Sequence, residues 1–210
     1  MLAQELKKGR EIIGMDIIMP EEIEDAVEKQ LFYSQEQLEK LSLMLPRELA
    51  LEMVARYCYE NSVVILCGPP VQQTLKNIYM LDPDVFSPSN SWWEKESFTK
   101  EFIGWGWYAV WKKGIPKSKG RSWHSAVKLL RCSQKPLSAT QMAWMEFVYQ
   151  KVKGESLFQE SFRTSSLEDD GDRICFDNNN GIEFFSTSDN KLPIVAAQEI
   201  DLFKQQEEEK

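Results

Sequence analysis

Apolar residues in the first sixty positions recur at helical spacing. Pro20 can open a helix without losing a needed donor, and the acidic pair Glu21-Glu22 suits the positive end of its dipole. Ile23, Val27 and Leu31 then repeat every fourth residue. Ser34 with Gln37 is a capping-box pair ahead of Leu38, Leu41 and Leu45. Pro46 opens a third segment carrying Ala50, Met53, Val54, Tyr57 and Cys58 on one face. Three amphipathic helices are the economical reading of this part.

The period then changes. Val63 to Cys67 is a continuous β-favouring run ended by Gly68-Pro69-Pro70, the pattern of a strand buried on both faces. Residues 71–80 read as a brief helix and 82–91 as a loop. Residues 104–111 form the best central strand, with tryptophans at alternate positions. A basic Gly/Pro/Ser loop covers 113–122, and 123–131 suits a short helix. Ser138 and Gln141 form another capping box, opening the strongest helix, with Met142, Met145, Val148, Tyr149 and Val152 along it and Gly154 as its terminator. Beyond it, Asp170-Gly171 and Asn180-Gly181 separate three β-favouring runs, and such dipeptides suit two-residue hairpin turns. An antiparallel meander follows, extended by residues 194–197. The expected class is α+β: a helical N-terminal part (1–60), a mixed module (61–200) with the C-terminal meander, and a charged tail (201–210).

Composition narrows the picture. With 210 residues, 42% apolar and 28% charged, the chain can bury a core, which excludes disorder and a disulfide-stapled mini-fold. The four cysteines are widely spaced without a C-x-x-C pair, as expected of buried thiols in a reducing compartment. The N-terminus lacks a signal-like apolar run and no stretch approaches the ~18 apolar residues of a membrane span, so a cytoplasmic protein without a membrane partner is expected.

The net charge of −8 argues against indiscriminate nucleic-acid binding. Charge is unevenly distributed, however. Residues 102–145 hold eight Lys or Arg, no Asp or Glu, and five of the seven tryptophans.

Several short motifs carry a resemblance. They are Cys67-Gly68-Pro69-Pro70, Trp107-Tyr108 with Lys112, Ile115-Pro116-Lys117-Ser118, Arg121-Ser122-Trp123, Leu157-Phe158, Arg163-Thr164-Ser165-Ser166, Asp170-Gly171, and Phe176-Asp177 with Gly181. In this order they resemble a module of uncharacterised bacterial proteins, over roughly residues 61–200. The chain departs from that pattern near its end, where Ser188-Asp189-Asn190-Lys191 replaces paired aspartates with an arginine, and where a closing basic residue is absent. The resemblance implies an architecture and no assigned activity. It also implies a setting beside bacterial antiviral systems, among accessory proteins of CRISPR type III operons.

Candidate chemistry is sparse. His124 is the single histidine, and a hydrolase would have to pair it with Cys58, Cys67 or Ser122, without a G-x-S-x-G or C-G-x-C-W signature. The acidic runs 168–172 and 177–181 lack the ligand spacing of a calcium loop and coincide with turns. No glycine pattern suits a phosphate cradle. Neither metal nor cofactor is therefore expected. One constellation invites a functional reading, namely Lys112, Lys113, Lys117, Lys119 and Arg121 with Trp123. These residues suit an acidic protein partner, with charge steering the encounter. Single-stranded nucleic acid, held by cations and stacked aromatics, is the alternative, and the plainest reading has the tryptophans filling the core from the central strand with the loop lysines solvated or facing the acidic helices.

Overall fold

A computed structural model describes residues 11–44, 58, 60, 62–88, 92–131, 133–188 and 191–199. The described residues form ten short strands and five α-helices: β1 (Ile17–Ile18), α1 (Pro20–Ala26), α2 (Gln35–Leu43), β2 (Val63–Cys67), β3 (Gln73–Thr74), α3 (Leu75–Leu81), β4 (Phe102–Ile103), β5 (Trp107–Trp111), α4 (Trp123–Val127), β6 (Lys135–Pro136), α5 (Ala139–Lys153), β7 (Phe162–Leu167), β8 (Arg173–Asp177), β9 (Glu183–Thr187) and β10 (Ala196–Glu199). The α+β class is as expected. Among the described residues, no helix is long and apolar enough to cross a membrane.

The main sheet runs β1-β2-β5-β10-β6. β2 is buried along its whole length, as its unbroken apolar run requires. It pairs antiparallel with β5 and parallel with β1, so Ile17 and Ile18 lie beside Ile65 and Leu66. Strand β1 is too short to carry an alternation, and sequence periodicity missed it. Gly68 closes β2 at a tight crossing: its N–H donates to Gly106 O at 2.8 Å, and a Cβ here would stand 1.9 Å from Gly104 O. The Tyr33 hydroxyl donates to the Gly68 carbonyl at 2.6 Å, tying the segment before α2 to this turn.

Helix α5 is the centre of the molecule. Ser138 and Gln141 cap each other's backbone, and the helix ends at Gly154, both as expected. Met142 to Tyr149 are all buried, because α1 and α3 cover the helix on some sides and β4, β7 and β8 on others. Two tryptophans fix the layers. Trp107 Nε1 donates to Leu41 O at 2.8 Å, and Trp144 Nε1 donates to Cys67 O at 3.1 Å. Indoles that are buried completely thus keep their one donor satisfied.

The meander β7-β8-β9 forms as a separate three-stranded sheet. Two expectations are corrected here. The connections 168–172 and 178–182 are longer than two-residue turns: Gly171 N–H closes back on Glu168 O, with Gly171 and Gly181 at φ +97° and +95°. Glycine still supplies the left-handed residue, but inside a wider loop. Residues 196–199 do not extend the meander; β10 enters the main sheet between β5 and β6. It meets the meander through its approach segment, where Arg163 bridges Ile194 and donates its N–H to Pro193 O. The helix expected from Pro46 and the tail 201–210 lie outside the described residues, apart from Cys58 and Glu60.

Candidate functional site

The loop after β5 begins with Lys112, whose N–H continues the ladder to Ser62 O. Its backbone is then fixed to the approach segment of β10 and to β7. Ile115 N–H donates to Ile194 O at 2.8 Å, and Ile194 N–H donates to the Ser118 hydroxyl at 3.1 Å. Ser118 is fully buried although its neighbours Lys117 and Lys119 are exposed. Ser118 N–H bonds Ile115 O and Arg121 N–H bonds Ser118 O, so the loop folds into successive turns.

Arg163, only 2% exposed, lies beneath those turns. Its guanidinium donates to Arg121 O at 2.9 Å and Ser118 O at 3.2 Å. Arg121 in turn donates Nε–H to Lys117 O at 2.8 Å. Lys117 itself sits at φ +66°, a left-handed conformation that costs a side-chain-bearing residue roughly 1 kcal/mol. The motifs Ile115–Ser118, Arg121–Trp123 and Arg163–Ser166, read separately in the sequence, thus meet in one place.

Trp123 opens α4 and is half-buried. The Arg173 guanidinium lies 4.0 Å from its ring centroid, a stacked cation–π contact. Arg173 also donates to Ser165 O at 2.7 Å. Burial first, then the nearby charge of Arg163, lowers the Arg173 pKa from its ordinary value. Two guanidinium groups, one from β7 and one from β8, therefore brace a loop that exposes more cations. Sequence reasoning read Arg163 within a strand motif and gave neither arginine a role in the site, because each occupies a strand whose other residues fit a meander. An arginine flanked by Phe162 and Thr164 in a β-favouring run was the available signal.

The predicted set divides. Lys117, Arg121 and Trp123 gather around Arg163 and Arg173, with Lys119 exposed in the same turn. Lys113, Lys117, Lys119 and Arg121 are all exposed, and none forms an ion pair with a described residue. Lys112 is engaged elsewhere: its ammonium is 3.4 Å from Asp16 Oδ1 and 3.2 Å from the Tyr149 hydroxyl, which donates to Glu155 at 2.9 Å. Burial pulls the Lys112 pKa down, yet the Tyr149 and Asp16 contacts outweigh it and raise the value overall. Lys112 and Lys113 also line a cavity of about 410 Å³ with Tyr149, Glu155 and Glu160.

The hydrolase pairs do not come together among the described residues. Ser122 Oγ caps α4, accepting from Ser125 N, and no hydrogen bond joins it to the exposed His124. Burial pushes the Cys58 thiol up to about 12, with Asp16 adding to it, and likewise pushes Cys175 to about 12 despite Arg163 and Arg173. Cys67, fully buried, is raised well above the usual thiol range. The carboxylates of Glu168, Asp170 and Asp172 approach within 4.8 Å of one another in the β7–β8 loop, where Asp170 accepts from Asp172 N–H. That arrangement is ordinary turn chemistry. Set beside known proteins, the chain matches no family model, no curated protein and no solved structure.

Proposed function

We propose that the protein is a non-catalytic docking module that grips an acidic segment of a partner protein with its 113–121 loop. The observation that carries this reading is the buried Arg163 bonded to the carbonyls of Ser118 and Arg121. It fixes the backbone from which Lys117, Lys119 and Arg121 project, so the partner need not order them at its own entropic cost. The chain as a whole is anionic, and a local cationic surface on such a body steers association with a complementary partner. Single-stranded nucleic acid receives less support, since Arg173 already covers one face of Trp123.

The test is fluorescence anisotropy with a labelled acidic peptide of about twelve residues at ~0.05 and ~0.15 M salt. Binding should weaken with salt and fall at least tenfold in the triple variant Lys117→Glu, Lys119→Glu, Arg121→Glu. Equal binding by the variant refutes the docking role of the loop. Tighter retention of a single-stranded RNA oligonucleotide than of the peptide refutes the assignment to a protein partner.

A further inference from the structure

A second cavity, far simpler in chemistry, lies between α3 and the turns that follow it. It measures about 320 Å³ and is bounded by Tyr79, Pro83, Asp84, Phe86, Trp93 and Glu94. Three of these are aromatic and mutually in contact. Tyr79 meets Phe86 at a centroid separation of 5.2 Å and Trp93 at 5.8 Å, both edge to face, while Phe86 and Trp93 are 6.3 Å apart. Phe86 and Trp93 are nearly buried and Tyr79 is half-buried, so the rings form the floor. Asp84 and Glu94 are exposed at the rim, and neither is ion-paired with a described residue. The neighbouring Asp82 is already neutralised by Lys151.

The walls are held rigidly. Phe86 bridges Ile182, Ser87 N–H donates to Ile182 O at 3.0 Å, and Ile182 N–H donates to Val85 O at 2.9 Å. Trp93 packs edge to face on Phe184, whose ring continues through Phe176 and Phe158 into the core. The pocket is therefore preformed, and occupying it needs no ordering of its floor. Two polar donors remain there: neither the Tyr79 hydroxyl nor the Trp93 indole N–H is bonded to a described residue.

Two rim carboxylates in water would hold a small hydrated cation only weakly. Aromatic rings change the preference, because their negative faces attract a cation whose hydration shell is readily shed. A guanidinium is planar, weakly hydrated and able to donate to two carboxylates at once, whereas an ammonium is compact and strongly hydrated. We infer that this pocket binds an arginine side chain presented by a partner polypeptide, with its guanidinium against the half-exposed ring of Tyr79 and donating to Asp84 and Glu94. This site is separate from the cationic loop, and the two proposals stand or fall independently.

The test is calorimetric or NMR titration of the full chain with a capped tripeptide bearing arginine at its centre. The same peptide carrying citrulline, the neutral isostere, is the control, and tetramethylammonium probes a free cation. The arginine peptide should bind saturably, with citrulline and the variant Asp84→Asn, Glu94→Gln each at least about tenfold weaker. The Lys117, Lys119, Arg121 charge-reversal variant should bind it unchanged. Equal affinity for citrulline, no saturable arginine binding, or undiminished binding by the folded Asp84→Asn, Glu94→Gln protein overturns the proposal. Tetramethylammonium binding as tightly as the peptide overturns it too, by assigning the pocket to a free amine.

Discussion

The buried guanidinium of Arg163 donates to the main-chain oxygen of Arg121 at 2.9 Å, so a cation inside the molecule fixes the shape of a cationic loop on its surface. A carboxylate in that position would neutralise the loop; main-chain carbonyls hold it while leaving its charge intact. Arg163→Met keeps the stem volume and removes the donors. Stability should fall by about 2 kcal/mol, the usual loss for charge-assisted hydrogen bonds whose acceptors stay behind. Lysine-specific proteolysis at Lys117 and Lys119 should accelerate as well. Urea unfolding and peptide mapping check both; an unchanged cleavage rate would show that Arg163 does not hold the loop.

Lys117 occupies a conformation that glycine adopts with less strain. Lys117→Gly relieves that strain and adds unfolded-state entropy, two effects of similar size and opposite sign. The net change in stability should lie within about 1 kcal/mol of zero. Lys117→Val should lose about 1–2 kcal/mol, because a β-branched side chain is poorly tolerated at positive φ. Acidic-peptide affinity should drop in both. A glycine variant that binds as well as the parent separates the loop geometry from any use of the Lys117 ammonium.

Trp123 and Arg173 are joined across α4 and β8, and their coupling can be measured directly. Arg173 is partly buried and also donates to Ser165 O, so single substitutions will report several losses at once. A double-mutant cycle with Trp123→Leu and Arg173→Met isolates the stacked contact. The coupling energy should be about 1 kcal/mol, between the values for exposed and desolvated cation–π pairs. A coupling near zero in thermal or urea unfolding would mean that the 4.0 Å approach contributes nothing to stability.

Local signals in this chain were legible where one residue decides one feature. Ser138 with Gln141, Ser34 with Gln37, and the unbroken Val63–Cys67 run each placed an element correctly, since capping and full burial are written in adjacent residues. Long-range pairing was not written there. Ile194–Ala197 has the same β-favouring character whether it joins the meander or the main sheet, and only packing beside β5 decides between them. The candidate site divides similarly. A run of lysines and tryptophans marks the loop, yet nothing local shows that Lys112 reaches Asp16, that the buried Arg163 holds the loop's carbonyls, or that Arg173 stacks on Trp123 from another sheet.

Glu146 offers a pH-dependent measure of how tightly the centre is packed. It is fully buried on α5, accepting from Phe158 N–H at 3.0 Å and from Asn178 Nδ2 at 2.7 Å. Burial raises its pKa from 4.5 to about 7, only partly opposed by the hydrogen bonds from Phe158, Ser156 and Leu157. Between those two values the folded chain keeps a proton that the unfolded chain releases. Stability from this group is therefore complete below pH 4.5 and is lost as pH rises through about 7. The shift corresponds to roughly 3 kcal/mol. Glu146→Gln carries no titrating proton and should lack this slope, so the stability difference between parent and variant should change by that amount from pH 4.5 to 8, moving against the parent as pH rises. Parallel urea-unfolding profiles for the two proteins across the window would show that the carboxyl is hydrated in the folded state and does not hold the proton.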